Sequence, residues 1–262
     1  MAKRNISLLL VLAVVILLAS FAGAYANQGV VKEDYKYIMP LSEVKAGMKG
    51  YGLTVFKGIK IEKFQVEVLG ILRKANNGQD LIFVRLSGGP VTERSANIIQ
   101  GMSGSPVYVN GKIIGAVAYG PKNFAKEPLG MLTPIEHMLD SLDPKLPSRP
   151  TGFSSEPAPL DNPVKTENGV INQIQIKNHS DNSSALKGTL IMEPLMTPLM
   201  VSGMSERSMS MLADILEPYG LSPMAGPGGK SDIVHTELVP GAAVAVSLAT
   251  GDIEMTGTGT VT

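Results

Sequence analysis

Apolar and polar positions alternate through much of this chain. From Phe64 to Gly70 the order Phe-Gln-Val-Glu-Val-Leu-Gly puts apolar side chains at nearly every second position, which predicts a strand with one buried face. Leu81 to Leu86 is apolar at every position but Arg85 and too short for a convincing helix, so it predicts a strand covered on both faces. Val107-Tyr108-Val109 and Ile113 to Ala118 flank Asn110-Gly111, two residues that accept the positive φ of a type I′ turn, and together they predict a β-hairpin. Thr133 to Leu139 predicts a short helix, with Thr133 as N-cap, Pro134 at the first helical position and Glu136 at the third. Residues 27–39 read as an N-terminal linker, and 40–142 as a β domain punctuated by glycine.

The pattern changes between Ser141 and Asn168, where Pro144, Pro147, Pro150, Pro157, Pro159 and Pro163 stand among Ser, Thr, Asp and Asn. That composition predicts a linker or long surface crossing over 143–168. Beyond it Val170 to Lys177 alternates like a strand. Ser205 to Glu217 carries Met209, Leu212, Ile215 and Leu216 at helical spacing, and Ala242 to Leu248 and Ile253 to Val261 read as strands joined by Thr250-Gly251-Asp252. Residues 169–262 are therefore expected to be a second β-rich half, incomplete at its C-terminal end because the sequence stops inside a strand pattern. The methionines at 192, 196, 200, 204, 209 and 211 fit adaptable packing better than a soft metal site.

At the other end, Lys3 and Arg4 precede an apolar run from Ile6 to about Ala19, followed by small residues that end in Ala24-Tyr25-Ala26. This is the order of a secretory signal peptide over 1–26, with cleavage before Asn27. It predicts a periplasmic or secreted protein. The alternative is a membrane anchor formed by an uncleaved 6–24, the only membrane contact the sequence suggests.

Composition narrows the chemistry. Twenty-eight glycines, 18 prolines, few aromatics and no tryptophan favour short strands and tight turns, so the expected fold is mainly β with a few short helices. Lys+Arg and Asp+Glu are both 23, which argues against a basic footprint for nucleic acid. Absence of cysteine removes thiolate nucleophiles, thiolate zinc sites and iron–sulfur clusters. No pair of histidines has ligand spacing, and Gly226-Pro227-Gly228-Gly229-Lys230 lacks the earlier glycine of a phosphate-binding loop, so no metal and no cofactor are expected.

One motif carries chemistry. Gly101-Met102-Ser103-Gly104-Ser105-Pro106 lies directly before the hairpin. Its glycines permit backbone conformations that expose the Ser103 hydroxyl and aim main-chain N–H groups at one point, the arrangement a nucleophilic serine needs. Gly101 and Ser103 would supply the oxyanion-hole amides. The motif resembles the Gly-Asp-Ser-Gly-Gly-Pro loop of chymotrypsin-like enzymes, with Met102 in place of the aspartate and Ser105 in place of a glycine. A Gly/Ser-rich turn without reactivity is the plain alternative.

The flanks strengthen the resemblance. Pro40 to Val44, Gly47 to Phe56, Phe64 to Leu69, the Gly-Met-Ser-Gly-Ser-Pro loop, Gly115-Ala116-Val117 and Thr133 to Glu136 are similar to the SpoIVB-type serine peptidase domain. Thr197 to Gly203, Gly241 to Val244 and Gly257 to Thr262 resemble further segments of bacterial proteins built on it. The resemblance implies a chymotrypsin-like β-barrel, a protein or peptide substrate, and Ser103 as nucleophile. It also implies a catalytic histidine in a Gly-His motif after the Gly-Thr-Val-Thr strand, so the base is expected beyond Thr262. The acid implied some fifteen residues before the serine falls on Ser87-Gly88-Gly89, and Asp80, the nearest upstream aspartate, reads as a turn former. Of the histidines, His137 reads as a solvated face and His179 as part of an exposed polar turn, while His235 is the least implausible base. Two readings stay open: a serine endopeptidase, or a non-catalytic envelope module that binds a peptide or partner on the same scaffold.

Overall fold

The computed structural model describes residues 36–76, 78–93, 98, 101–122, 127–142, 156–167, 169–179, 181, 184, 186–226 and 237–262. The alternation at Phe64 belongs to a long strand, β2 (Ile61–Asn76), which buries Phe64, Val66 and Val68 on one face. It pairs antiparallel with β1 (Lys49–Val55) on one side and with β3 (Gln79–Ser87) on the other. β3 is covered on both faces, as its apolar run predicts. Ile82, Val84 and Leu86 join Phe64, Val66 and Val68 in one core, whereas Leu81 and Phe83 join Leu72, Leu160 and Ile174 in another.

The predicted hairpin is β4 (Pro106–Val109) and β5 (Lys112–Pro121), turned by Asn110 at φ 52° and Gly111 at φ 76°. β6 (Leu129–Pro134) lies between β5 and β3. β4 then pairs with β1 through Tyr51↔Tyr108 and Gly52↔Val107, so the ring β1-β2-β3-β6-β5-β4 closes as a six-stranded antiparallel barrel. Closure relies on Gly50, where a Cβ would overlap the Tyr108 carbonyl oxygen. The expected chymotrypsin-like, mainly β architecture is thus present.

Two helices depart from expectation or add to it. A single helical turn, α1 (Pro90–Glu93), follows β3. The helix expected from Thr133 starts later, as α2 (Ile135–Asp140), because Thr133 and Pro134 are still paired to Ala116 and Gly115 as the end of β6. Glu136 does not cap; its carboxylate accepts a hydrogen bond from the N–H of Leu41 at 2.9 Å.

β5 also runs on past the barrel to pair with β9 (Thr189–Pro194), which continues through β8 (Gly169–Ile176) to β7 (Ala158–Thr166) at the edge. Part of the segment read as a linker is therefore strand. Pro159 and Pro163 are tolerated because β7 is an edge strand whose pairing is interrupted between Pro159 and Val164, so the missing N–H groups break no inner ladder. Leu160 and Val164 fill the second core. Residues 143–155 lie outside the described residues.

A second sheet has the order β11 (Leu221–Ala225), β10 (Thr197–Ser202), β13 (Glu254–Thr260), β12 (Ala243–Ala249). Beside β11 lies α3 (Glu206–Leu216), capped by the Ser205 hydroxyl accepting from the N–H of Ser208. Residues Ile38–Thr262 make one compact unit. The apolar segment and cleavage site read at the N-terminus lie outside the described residues, and no helix among the described residues is long and apolar enough to cross a membrane.

Candidate active site

The Gly-Met-Ser-Gly-Ser-Pro loop is anchored at Met102 and Ser105. Both are buried, Met102 within the barrel core, while Gly101 before them and Ser103 and Gly104 between them remain partly exposed. Gly101 has φ 95° and Gly104 φ 86°, left-handed conformations that a side chain would strain. On one side the loop is tied to β5: the N–H of Gly104 donates to the Val117 carbonyl at 2.9 Å, and the N–H of Val117 donates to the Ser105 carbonyl at 3.0 Å.

On the other side it is tied to the end of β13. The Thr260 hydroxyl donates to the Gly101 carbonyl at 2.9 Å, the Thr260 N–H to the Ser103 carbonyl at 3.1 Å, and the Thr262 hydroxyl to the Gly104 carbonyl at 2.7 Å. The Met102 carbonyl accepts from the N–H of Ser105. All four carbonyls from Gly101 to Gly104 are therefore held. By contrast, no acceptor among the described residues engages the N–H of Gly101, Met102 or Ser103. A bend whose carbonyls are occupied and whose successive amides are unclaimed is suited to hold an anionic oxygen.

Beside the loop is a cleft of about 670 Å³. Val55, Phe56 and Lys57 from the end of β1, Met102, Met200 of β10 and Ala243 of β12 line it, with Gly259 and Thr260 of β13. This is within the size range of ligand clefts, roughly 300–1,000 Å³. A smaller cavity of about 180 Å³, lined by Glu127, Leu129, Val170 and Leu190 among others, does not reach the serine loop.

Residues 21–139 match the family described as SpoIVB peptidase S55. Over these residues the chain is similar to a SpoIVB-type serine peptidase domain. The match takes in the whole barrel and the serine loop and ends within α2, so β7 to β13 lie beyond it. No curated protein and no solved structure matches the chain. A peptidase domain of this family implies a protein or peptide substrate.

His137 and Asp80, within the matched residues, and His179, beyond them, are not among the loop's hydrogen-bond partners. For His137 the strand register shows why. Chain reversal from Pro106 toward Ser103 runs along β5 toward Tyr119, whereas the chain after Pro134, opposite Gly115, runs the other way to His137. His137 is also not on a solvated face: it is half-buried with Nδ1 inaccessible, because the short α2 packs on β5 and β6. His179 is likewise not a free polar turn. Its Nδ1 is 2.9 Å from Glu193 Oε2 and its Nε2 2.9 Å from the Pro194 carbonyl oxygen, since the turn after β8 folds back over β9. His235 lies outside the described residues.

Asp80 serves the β2–β3 connection. Its carboxylate accepts from the Arg73 guanidinium at 2.7 Å and from the Lys74 N–H at 2.8 Å. Burial opposes its ionisation, but those two hydrogen bonds and the charges of Arg73 and His137 outweigh it and hold the carboxyl below its ordinary range. Among the described residues, no imidazole or carboxylate hydrogen-bonds Ser103, and no cluster of His, Asp and Glu could hold a metal.

The threonines of β13 were not singled out by motif. Their signal is the Thr-Gly-Thr-Gly-Thr-Val-Thr alternation, which puts Thr258, Thr260 and Thr262 on one face, and the latter two hydroxyls meet the loop.

A second pair of hydroxyls lies beneath the loop. Continuing the β1–β4 register by three residues from Tyr51↔Tyr108 sets Thr54 opposite Ser105. Both residues are fully buried and neither hydroxyl has a hydrogen-bond partner among the described residues. A buried hydroxyl without a partner costs about 1–3 kcal/mol. Thr54→Val keeps the shape and removes that cost, so it should raise stability by about 1 kcal/mol and the melting temperature by about 2–4 °C, read in a thermal melt. A lower melting temperature would mean that the hydroxyl is satisfied.

Proposed function

We propose that this protein is an extracytoplasmic serine endopeptidase in which Ser103 is the nucleophile. The observation that carries the reading is the division of labour in the loop: carbonyls tied down largely by the end of β13, amides unclaimed among the described residues, and a partly exposed serine next to Gly101 and Met102, which line a cleft. In the reaction the Ser103 Oγ bonds to the carbonyl carbon of the scissile peptide as a base takes its proton. The carbonyl π pair moves to oxygen, where the amides of Gly101 and Ser103 stabilise the charge, each worth about 2.7–4 kcal/mol. Collapse breaks the C–N bond, the amine leaves with the proton from the base, and water then releases the acyl group from Ser103.

The base is the part that the described residues do not supply. The family resemblance implies a base in a Gly-His motif after the Gly-Thr-Val-Thr strand, and the end of β13 runs along the serine loop. In a polypeptide continuing past Thr262 with Gly-His, the imidazole would enter next to Ser103. The basic, apolar and small-residue order of residues 3–26 supports export from the cytoplasm by a cleaved signal.

Labelling by a fluorophosphonate tests the reading. A chain extended past Thr262 by a Gly-His-bearing segment should label at Ser103 at least about a hundred times faster than the 262-residue chain, given the usual worth of a general base. Ser103→Ala should abolish the labelling. Labelling that survives Ser103→Ala would end the assignment. The second reading, a peptide-binding module without catalysis, is favoured by the lack of any imidazole bonded to Ser103 among the described residues, and it predicts no labelling in either chain.

A further inference from the structure

The cleft beside Ser103 has a chemical bias that neither the motif nor the family match assigns. We propose that it selects peptides with an uncharged apolar side chain at the residue bearing the attacked carbonyl, with Phe56 and Met200 as the selecting side chains. This rests on Ser103 as the nucleophile, since the loop fixes where that carbonyl must lie.

The lining is asymmetric in charge. Val55, Phe56, Met200 and Ala243 offer apolar surface, the threonines offer neutral hydroxyls, and among the described residues no carboxylate lines the cleft. Lys57 is the only charged lining residue among the described ones, and it is exposed at the β1–β2 turn. A lysine or arginine side chain entering here would lose hydration without a counter-charge and meet a like charge.

Phe56 and Met200 are suited to the contact because both are half-buried, each backed by protein and open on one side. Phe56 packs on the barrel core and meets the Phe64 ring edge to face at 6.5 Å between centroids, which fixes its orientation. Met200, between β11 and β13, is the adaptable partner. A rigid aromatic wall and a flexible thioether lining one cleft accept leucine, methionine or phenylalanine alike. Gly101 and Gly259 place no side chain in the way, so an extended backbone has room to approach the loop. Met102 also lines the cleft but its side chain belongs to the barrel core.

The test reads binding rather than turnover. Peptides fluoresceinyl-Ala-Ala-Xaa-Ala-Ala-amide, with Xaa as Leu or Lys and the dye on the N-terminal amine, are titrated against the full chain by polarisation. Location is read from [methyl-13C]methionine NMR. The leucine peptide should bind at least about tenfold more tightly than the lysine peptide. It should shift the Met200 methyl saturably and leave Met131, buried in the other core, unmoved. Met200→Glu should reverse the preference, and Lys57→Glu, at an exposed site, should strengthen binding of the lysine peptide. Equal binding of the two peptides, or a Met200 methyl that does not move, overturns the inference. Fluorophosphonate labelling of the same samples separates the two claims: labelling without selective binding removes only the specificity, and selective binding without labelling removes only the nucleophile.

Discussion

Gly104→Ala is expected to silence Ser103 and to cost about 2–4 kcal/mol of stability. Two effects add at this position. The backbone is left-handed at φ 86°, which costs a residue with a Cβ about 1–2 kcal/mol. The added methyl would also overlap the Thr260 carbonyl oxygen, so β13 and the loop must separate. Separation breaks the Thr260 and Thr262 contacts that hold the loop carbonyls, and releasing those carbonyls frees the amides to turn with them. Misplacement of about 1 Å at a catalytic group is enough to lose about a hundredfold in rate. Thr260→Val is the control. It removes the hydroxyl bond to Gly101 but keeps the main-chain bond to Ser103, so a loss of about 1 kcal/mol and partial labelling are expected. Thermal melts with fluorophosphonate rates would check both. If the alanine variant labels as fast as the parent, the loop does not depend on β13.

The barrel was legible because its strands carry local signals that agree with one another. Alternation at Phe64 to Val68, the doubly buried run of β3 and the Asn110-Gly111 turn each report a neighbourhood of a few residues, and in each the tertiary structure asks for the same thing. What the local pattern could not show was which strands are shared. β5 carries ten residues because it serves both the barrel and, through Tyr119 to Pro121, the β9 extension. Nothing in the order Ala-Tyr-Gly-Pro marks a strand that changes partners. The proline-rich crossing misled for a related reason. Composition speaks for a linker, but the cost of proline in a strand depends on whether an inner neighbour needs the N–H, and at the edge position of β7 none does.

The site divides in the same way. The glycine bend and its serine were visible because conformational permission is written into residue type. The loop's second support was not, since Gly101 and Thr260 are 159 residues apart and only tertiary folding brings them together. The histidines show the converse failure. His137 and His179 sit in polar local sequence, Glu-His-Met and Asn-His-Ser, and read as solvated, yet one packs beneath a short helix and the other is clasped by a strand folded over it. Local polarity reports what a side chain tolerates, and burial is decided by which element lands on it.

The clasp around His179 carries the other large effect. Glu193, on β9, sits between Lys122 Nζ at 2.7 Å and His179 Nδ1 at 2.9 Å. The lysine contact is angled poorly for a hydrogen bond, but the attraction between the charges does not depend on that angle. Lys122 also donates to the carbonyls of His179 and Asp181, so one cation and one carboxylate fasten the turn after β8 to the junction of β5 and β9. These groups are largely withdrawn from water, the Glu193 side chain being only 11% exposed and that of Lys122 17%. Removing one member of a buried pair leaves the other uncompensated, at a cost of about 3–5 kcal/mol. Glu193→Leu should therefore destabilise the protein by about 3 kcal/mol in a denaturant melt. Lys122→Met on the same background should recover part of that loss, because the stranded charge goes with it. A Glu193→Leu protein as stable as the parent would mean that β9 is held by its ladder and apolar face alone. If the loss does appear, labelling of Ser103 separates the two roles of β5. Its Val117 holds the serine loop through a different stretch from the one that meets β9, so the folded variant should label at the parental rate.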